Sequence, residues 1–171
     1  NGNWEKLAYK SELLIAEFQN KKVEEIIDDE VFEFPLGTER ETIIKQRVNQ
    51  RFFRSTILSS YNLKCCITGL SISEFLVASH IIPWKKDENN RLNPHNGLCL
   101  NSIHDRAFDK GFITITPDYK IKVSKYFDDL KKDEAVPDFF LKYENQSIIL
   151  PDRFLPSKEF LDWHYTNLFK K

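Results

Sequence analysis

The sequence predicts an α+β fold in which a two-stranded ribbon and a short helix form a core, flanked by N-terminal and C-terminal helices and by an additional β-hairpin. Two observations support this class. Long segments carry apolar residues at helical spacing, and short apolar runs lie between turn-forming residues, as strands do. The chain has 171 residues, of which 41% are hydrophobic. It is therefore long enough for one domain with a substantial core, or for a compact domain with an added flank.

The first predicted element is a helix over residues 3–27. Five apolar residues are spaced for one buried stripe: Trp4, Leu7, Leu14, Phe18 and Ile26. Acidic residues 28–30 end the helix. Residues 31–37, VFEFPLG, contain a proline and a glycine, which predicts a short extended linker. Residues 1–37 are therefore expected to form an N-terminal helix and linker.

A second helix is predicted from about residue 39 to residue 60, with Thr38 and Glu41 in a capping-box pattern at its start. On a helical wheel, one stripe is apolar and another is basic, comprising Ile44, Val48 and Phe52, and Arg47, Arg51 and Arg54. Residues 40–64 contain six basic residues and one acidic residue, interleaved with aromatic side chains. Nucleic-acid-binding surfaces often show this composition. We expect the three arginines to bind nucleic-acid phosphates; an ordinary solvated face is the alternative.

The central part of the chain predicts a strand–strand–helix unit. Residues 75–82 and 96–100 would form the two arms of an antiparallel ribbon. Residues 102–110 would form a short helix that begins at Asn101 or Ser102 and is closed by a glycine. In this arrangement the helix lies across the ribbon.

The C-terminal third predicts a hairpin and a final helix. The segments FITIT and IKVS, separated by the turn PDYK, are typical of two paired strands. A helix from about residue 157 to residue 169 would pack through its larger apolar residues: Phe160, Trp163, Leu168 and Phe169. The expected domain over residues 38–125 is thus followed by an extension, residues 126–171, that packs on the core.

Three polar residues punctuate the predicted core unit. Fifteen residues separate His80 from Asn96, and seven separate Asn96 from His104. The predicted ribbon and helix allow all three side chains to converge on one face. Asp105 and Asp109 would stack one helical turn apart, because residues i and i+4 are neighbours on a helix.

This set of residues suits hydrolysis of a phosphodiester. A neutral imidazole can take a proton from water near pH 7, and an amide or backbone carbonyl can hold one tautomer in place. A divalent cation held by His104 and an aspartate would offset the charge that develops on the phosphate. A mixed set of nitrogen and oxygen ligands does not discriminate between Mg²⁺, Mn²⁺, Ni²⁺ and Zn²⁺, so the sequence does not identify the cation.

Four blocks around these residues, ITGL, ASHIIPW, NPHNGLCL and HDRAFDKG, are similar to the HNH endonuclease superfamily. Together with the preceding QRVNQRFFRSTILSSYNLKCC, they resemble the restriction-type HNH endonucleases of bacteria over about residues 38–125. The resemblance implies a ββα-metal core with flanking helices. It also implies metal-dependent hydrolysis of DNA, most plausibly double-stranded.

The resemblance also implies roles for individual residues. His80 matches the general base that activates water, and Asn96 matches the residue that steadies the loop and the base. His104 matches the last residue of the motif, usually a metal ligand. Asp105 and Asp109 lie on the same helix and are further candidate metal ligands.

The sequence departs from the resembled pattern at Ser79. Many family members place an aspartate or histidine immediately before the first histidine, as a metal ligand, and a hydroxyl group is a poor substitute. Two arrangements follow: the metal is held from the helix and by water, or His80 is itself a ligand and the base lies elsewhere. A DNA-binding module with a degenerate, inactive centre is therefore an alternative function, and a purely structural or protein-interaction domain is a third.

Each candidate residue also has an ordinary interpretation. His80 could be a core histidine bonded to a carbonyl group, and Asn96 a turn residue. His104 could be exposed. Asp105 could complete a capping box, and Asp109 could face solvent.

The three cysteines predict free thiols in a reducing compartment, because their number is odd and no secretory signal is present. A structural zinc site built from Cys65, Cys66, His95 and Cys99 is disfavoured, since no C-x-x-C pair exists. His95 and His164 are interpreted as structural or surface residues. Without an apolar membrane span, the chain is expected to be cytoplasmic, with DNA as its partner, no membrane association and homodimerisation left open.

Overall fold

The structure, a computed structural model, describes residues 3–23, 25, 38–130 and 133–171, with the side chains of residues 38–43 excepted. Its contacts divide the chain into two compact units, Asn1–Ser55 and Thr56–Lys171. The division falls inside the second helix, rather than at residues 37 and 125. The predicted linker over residues 31–37 lies outside the described residues.

The first helix, α1 (Trp4–Gln19), is shorter than the predicted one. The Asn3 side chain caps its start by accepting a hydrogen bond from the Lys6 backbone N–H at 3.0 Å. The helix ends because Asn20 adopts a left-handed conformation with φ 54°, a common helix terminator for asparagine. The prediction of a continuous helix to residue 27 is therefore wrong.

The buried face of α1 also differs from the predicted stripe. Its buried residues are Ala8, Glu12 and Ala16. The side chains of Leu7, Leu14 and Phe18 are exposed, Trp4 is half-buried, and Ile26 lies outside the described residues. Two alanines and a glutamate, rather than large apolar residues, make up the buried face of this helix.

The second helix, α2 (Thr38–Ser60), confirms the predicted bounds and runs from the first unit into the second. Of its predicted apolar stripe, Val48 is fully buried, whereas Ile44 and Phe52 are half-buried. In the second unit, Ile57 on the last turns of α2 is buried.

The predicted ββα unit is confirmed and forms the centre of the second unit. β1 (Leu76–His80) pairs antiparallel with β2 (Gly97–Asn101), with His80 opposite Gly97. The helix α3 (Ser102–Asp109) follows β2 directly. Asn101 caps it, because its Oδ1 accepts hydrogen bonds from the backbone N–H groups of Ile103 at 3.1 Å and His104 at 2.9 Å.

The predicted hairpin and C-terminal helix are also present. The remaining elements are β3 (Ile113–Ile115), β4 (Ile121–Val123), α4 (Ala135–Phe139) and α5 (Lys158–Asn167), with short 3-10 helices at Ser73–Phe75, Pro94–Asn96, Lys125–Leu130 and Leu141–Tyr143. β3 and β4 pair antiparallel. Among the described residues, no helix is long and apolar enough to cross a membrane.

The helix α5 packs through residues other than the four predicted ones, which are only half-buried. Its fully buried side chains are Leu161 and His164, and the His164 ring stacks on Phe108 of α3 with 3.7 Å between ring centroids. Gly111, with φ 71°, lets the end of α5 approach closely, because a Cβ atom there would overlap the Leu168 carbonyl group.

Candidate active site

His80 is the last residue of β1 and is held by a backbone carbonyl group. Its Nε2 lies 2.8 Å from the Arg91 carbonyl oxygen, which can only accept a hydrogen bond. The neutral ring therefore carries its proton on Nε2 and its lone pair on Nδ1. Burial lowers the pKa of His80, while the Arg91 carbonyl group and the Asp109 carboxylate oppose that shift.

Asn96 anchors the loop that supplies this carbonyl group. Its buried side chain accepts a hydrogen bond from the Ile82 N–H at 2.8 Å and donates to the carbonyl oxygens of Ile82 at 3.1 Å and Asn90 at 3.2 Å. Both amide hydrogens and the amide oxygen are thus bonded to backbone atoms. Asn96 therefore holds the loop after β1 near both of its ends. By doing so it positions the Arg91 carbonyl group, which orients His80.

Further contacts within the loop brace the same region. The Arg91 guanidinium donates to the Trp84 carbonyl oxygen at 3.0 Å and pairs with Glu88 at 3.0 Å. Trp84 presents its ring edge-on to His80, with 5.4 Å between ring centroids. Sequence reasoning did not find the Arg91 carbonyl group, because a backbone acceptor leaves no signature in the side-chain pattern.

Asp105 and Asp109 lie on the side of α3 that faces the end of β1. Burial raises the pKa of both carboxyl groups, and Asp109 raises the pKa of Asp105 further. His80 lowers the pKa of Asp109, so these two groups attract each other when charged. The structure therefore brings His80, Asp105 and Asp109 into one cluster.

Ser79 completes this cluster from β1. Its hydroxyl group is buried and makes no hydrogen bond of ordinary geometry in the described part of the chain. It nevertheless lies close enough to Asp105 to oppose the rise in that residue's pKa. A buried oxygen beside two carboxylates that repel each other is an environment that a cation would stabilise.

His104 does not join this cluster. Its ring is 2% exposed, with Nε2 lying 2.8 Å from the Phe139 carbonyl oxygen and Nδ1 3.0 Å from Asn101 Oδ1. The rings of Phe140 and Tyr143 contact it edge-on. Both nitrogens are therefore shielded within the protein. The geometry gives no support to His104 as a catalytic residue or as a metal ligand.

The available donors limit which cation the cluster could hold. Over the described ranges, no group of three or more histidine, cysteine, aspartate or glutamate side chains has the geometry of a metal site. Two carboxylates with a neighbouring hydroxyl group fit a hard cation such as Mg²⁺ or Mn²⁺, which completes its coordination with water and substrate oxygens. They fit the histidine-rich sites of Zn²⁺ or Ni²⁺ less well.

The three arginines of α2 belong to the first unit. Within that unit, Arg51 Nε lies 3.5 Å from Oε1 of the buried Glu12. Part of the charge of Arg51 is therefore offset inside the protein. Arg47 is half-buried, and Arg54 is exposed.

The cysteines and His95 have separate surroundings. Cys65, Cys66 and Cys99 are buried free thiols, and burial raises the pKa of Cys66, which disfavours its thiolate. His95 Nδ1 instead lies 2.7 Å from the Leu155 carbonyl oxygen.

Comparison with known proteins agrees with this geometry. The sequence model of the HNH endonuclease family matches residues 65–116, which include β1, β2 and α3. This segment of the chain is therefore similar to the HNH endonuclease family. A search of curated proteins found no match.

A solved structure has a similar fold. It is described as a modification-dependent TagI restriction endonuclease and superposes with a TM-score of 0.50 at 18% sequence identity. The similarity covers 68% of this chain and 37% of that protein, so the chain spans less than half of its length. At this level of identity the similarity establishes the fold, and the α+β prediction is confirmed.

Proposed function

We propose that the protein is a metal-dependent endonuclease that hydrolyses DNA phosphodiester bonds, with His80 as the general base. One observation carries the proposal: a neutral, oriented imidazole lies near the Asp109 carboxylate in the ββα unit, within the segment that the HNH endonuclease family model matches. The fold similarity to a restriction endonuclease supports double-stranded DNA as the substrate.

His80 would act through Nδ1, because the Arg91 carbonyl group holds the proton on Nε2. Nδ1 takes a proton from a water molecule, and the water oxygen forms a bond to the phosphorus as the P–O bond to the leaving sugar oxygen breaks. The leaving oxygen is protonated by solvent water. The lowered pKa of His80 keeps the ring neutral near pH 7. Asp109 stabilises the imidazolium that forms, since it is close enough to raise the pKa of His80.

Asp105 and Asp109 would hold the divalent cation, with the Ser79 hydroxyl group beside them. A cation bound there would stabilise negative charge on the phosphate and on the leaving oxygen. Asn96 is a positioning residue in this account, because its amide bonds only to the loop. The proposed DNA contacts on α2 are Arg47, Arg51 and Arg54, with Arg51 contributing less because it pairs with Glu12.

Cleavage of supercoiled plasmid tests the proposal. We expect nicked or linear product with Mg²⁺ or Mn²⁺ and none in excess EDTA. Undiminished cleavage in EDTA would contradict metal dependence. Salt-dependent DNA binding without cleavage under any divalent cation would instead identify a DNA-binding module with an inactive centre.

A further inference from the structure

A cavity of about 690 Å³ opens beside α3, and none of the residues of the His80 cluster lines it. It lies entirely within the second unit. Its lining combines aromatic side chains with basic ones: Phe112, Phe127 and Phe140, and Arg106, Lys110 and Lys170. No residue described as lining it is acidic. Neither the proposed general base nor the proposed cation site uses these residues.

The aromatic side chains form one apolar wall, in which the Phe112 ring is tilted by 49° from the Phe127 ring. Phe127 and Phe140 stack with 4.7 Å between ring centroids and 13° between ring planes. Phe112 adjoins Phe127 at 5.7 Å. Phe127 is buried, whereas Phe112 and Phe140 keep part of their surface exposed. Such a wall suits a planar group that can stack or pack edge-on.

The basic side chains give the cavity a positive rim. Within the part of the chain that the structure describes, Arg106, Lys110 and Lys170 form no ion pair with a carboxylate. The Lys170 Nζ lies 3.9 Å from the centre of the Phe112 ring, which places its charge directly over the aromatic wall. A ligand that matches this cavity has a flat ring and an anionic group close to it.

The helix α3 connects the cavity with the His80 cluster. Ile103, Arg106 and Lys110 line the cavity at positions i, i+3 and i+7 of one helix face. Asp105 and Asp109 lie on the adjoining face, where Arg106 lowers the pKa of both. The cavity and the carboxylate pair therefore share one short helix, and Arg106 interacts with both.

We propose that this cavity binds a single unstacked nucleotide of the DNA substrate. Its base packs against the Phe112 and Phe140 rings, and its phosphate lies between Lys110 and Lys170. The inference rests on the proposed function, because the nucleotide belongs to the strand that the His80 cluster would cut. Base–aromatic stacking together with cation contacts is the general mode by which proteins hold unpaired nucleotides.

The test compares three DNA duplexes bound by the His80→Ala protein in EDTA, so that no strand is cut. One duplex carries a single bulged thymidine, the second an abasic bulge, and the third is fully paired. Fluorescence anisotropy measures each affinity at fixed salt. We expect the thymidine bulge to bind at least about fivefold more tightly than the abasic bulge, the lower end of stacking effects.

Two variants assign that preference to the cavity. Phe112→Leu, which keeps an apolar side chain, should abolish the preference for thymidine over the abasic bulge, while Phe75→Ala at an exposed site should leave it unchanged. Lys110→Gln combined with Lys170→Gln should reduce the dependence of bulge affinity on salt by about one in logarithmic slope for each lost phosphate contact. Lys120→Gln, on the exposed hairpin turn, is the charge control. Thermal unfolding establishes that each variant is folded.

The outcomes separate this inference from the proposed nuclease activity. A thymidine preference that Phe112→Leu removes supports the cavity, even if the unmodified protein cuts no plasmid. Equal affinity for the two bulges would overturn the inference, even if plasmid is cut. A preference that survives Phe112→Leu would also overturn it, and would place the unpaired base elsewhere.

Discussion

His80 and His104 lie in the same ββα unit and make the same type of contact. In each residue, Nε2 lies 2.8 Å from a backbone carbonyl oxygen. Their second nitrogens differ. His80 belongs to a cluster with Asp105 and Asp109, whereas Nδ1 of His104 faces the Asn101 side chain within the packed core. A carbonyl group on Nε2 orients either ring. We therefore expect the different surroundings of the two rings to decide which one acts in catalysis.

The largest expected effect is the loss of cleavage in His80→Ala. Removing a general base lowers the rate by roughly 100- to 10,000-fold, and the half-buried site should leave the thermal unfolding midpoint little changed. His104→Gln is the matched comparison, and cleavage per folded molecule should stay within about tenfold of the original protein. Rates with Mg²⁺ and unfolding curves on both variants check this. Equal losses of activity in the two variants would remove the distinction between the histidines.

A third histidine extends the comparison to pH. Burial lowers the pKa of His164 to about 4, below the ordinary histidine value of 6.5. Between these two pH values, His164 is protonated in the unfolded chain but stays neutral in the folded protein. Protonation of His164 therefore does not reduce the free energy of unfolding above pH 6.5. As the pH falls to 4, it lowers the free energy of unfolding by about 3 kcal/mol. Urea unfolding from pH 7 to pH 4 measures the decline, and His164→Gln should show a shallower pH dependence. Parallel curves would exclude His164 as the cause.

Asn96→Ala should have a smaller effect on cleavage than His80→Ala. The variant frees both ends of the loop, so the Arg91 carbonyl group no longer holds one orientation of His80. Losing an orienting partner typically reduces activity by about 10- to 100-fold. A matched change in the same loop, Asn89→Ala, removes no contact to β1 and should leave the rate near normal. If the two variants lose activity equally, loop anchoring through Asn96 is not what orients the base.

The ββα unit could be predicted from the sequence because local signals specify it. Turn residues flank both strands, and Asn101 caps α3 with its own side chain. The buried face of α1 could not be predicted in the same way. Ala8, Glu12 and Ala16 are small or charged, so the hydrophobic pattern pointed to larger residues that are in fact exposed.

The site was predicted in part for a similar reason. Adjacent positions on a helix point about 100° apart, and the spacing of polar residues does not tell His104 from Asp105. A signal was nevertheless present. His104, Ala107 and Phe108 stand at i, i+3 and i+4, which is the pattern of a buried helix face, and all three are buried. Asp105 and Asp109 form the opposing pair.

Titration with Mn²⁺ tests the distinction between the two faces of α3 most directly. Calorimetry on the original protein should show a stoichiometric site, absent from Asp105→Asn and Asp109→Asn and retained in His104→Gln. The reverse pattern, with Mn²⁺ binding lost on replacing the histidine and kept without the two carboxylates, would show that the cation is held from the core side of the helix and would contradict the account.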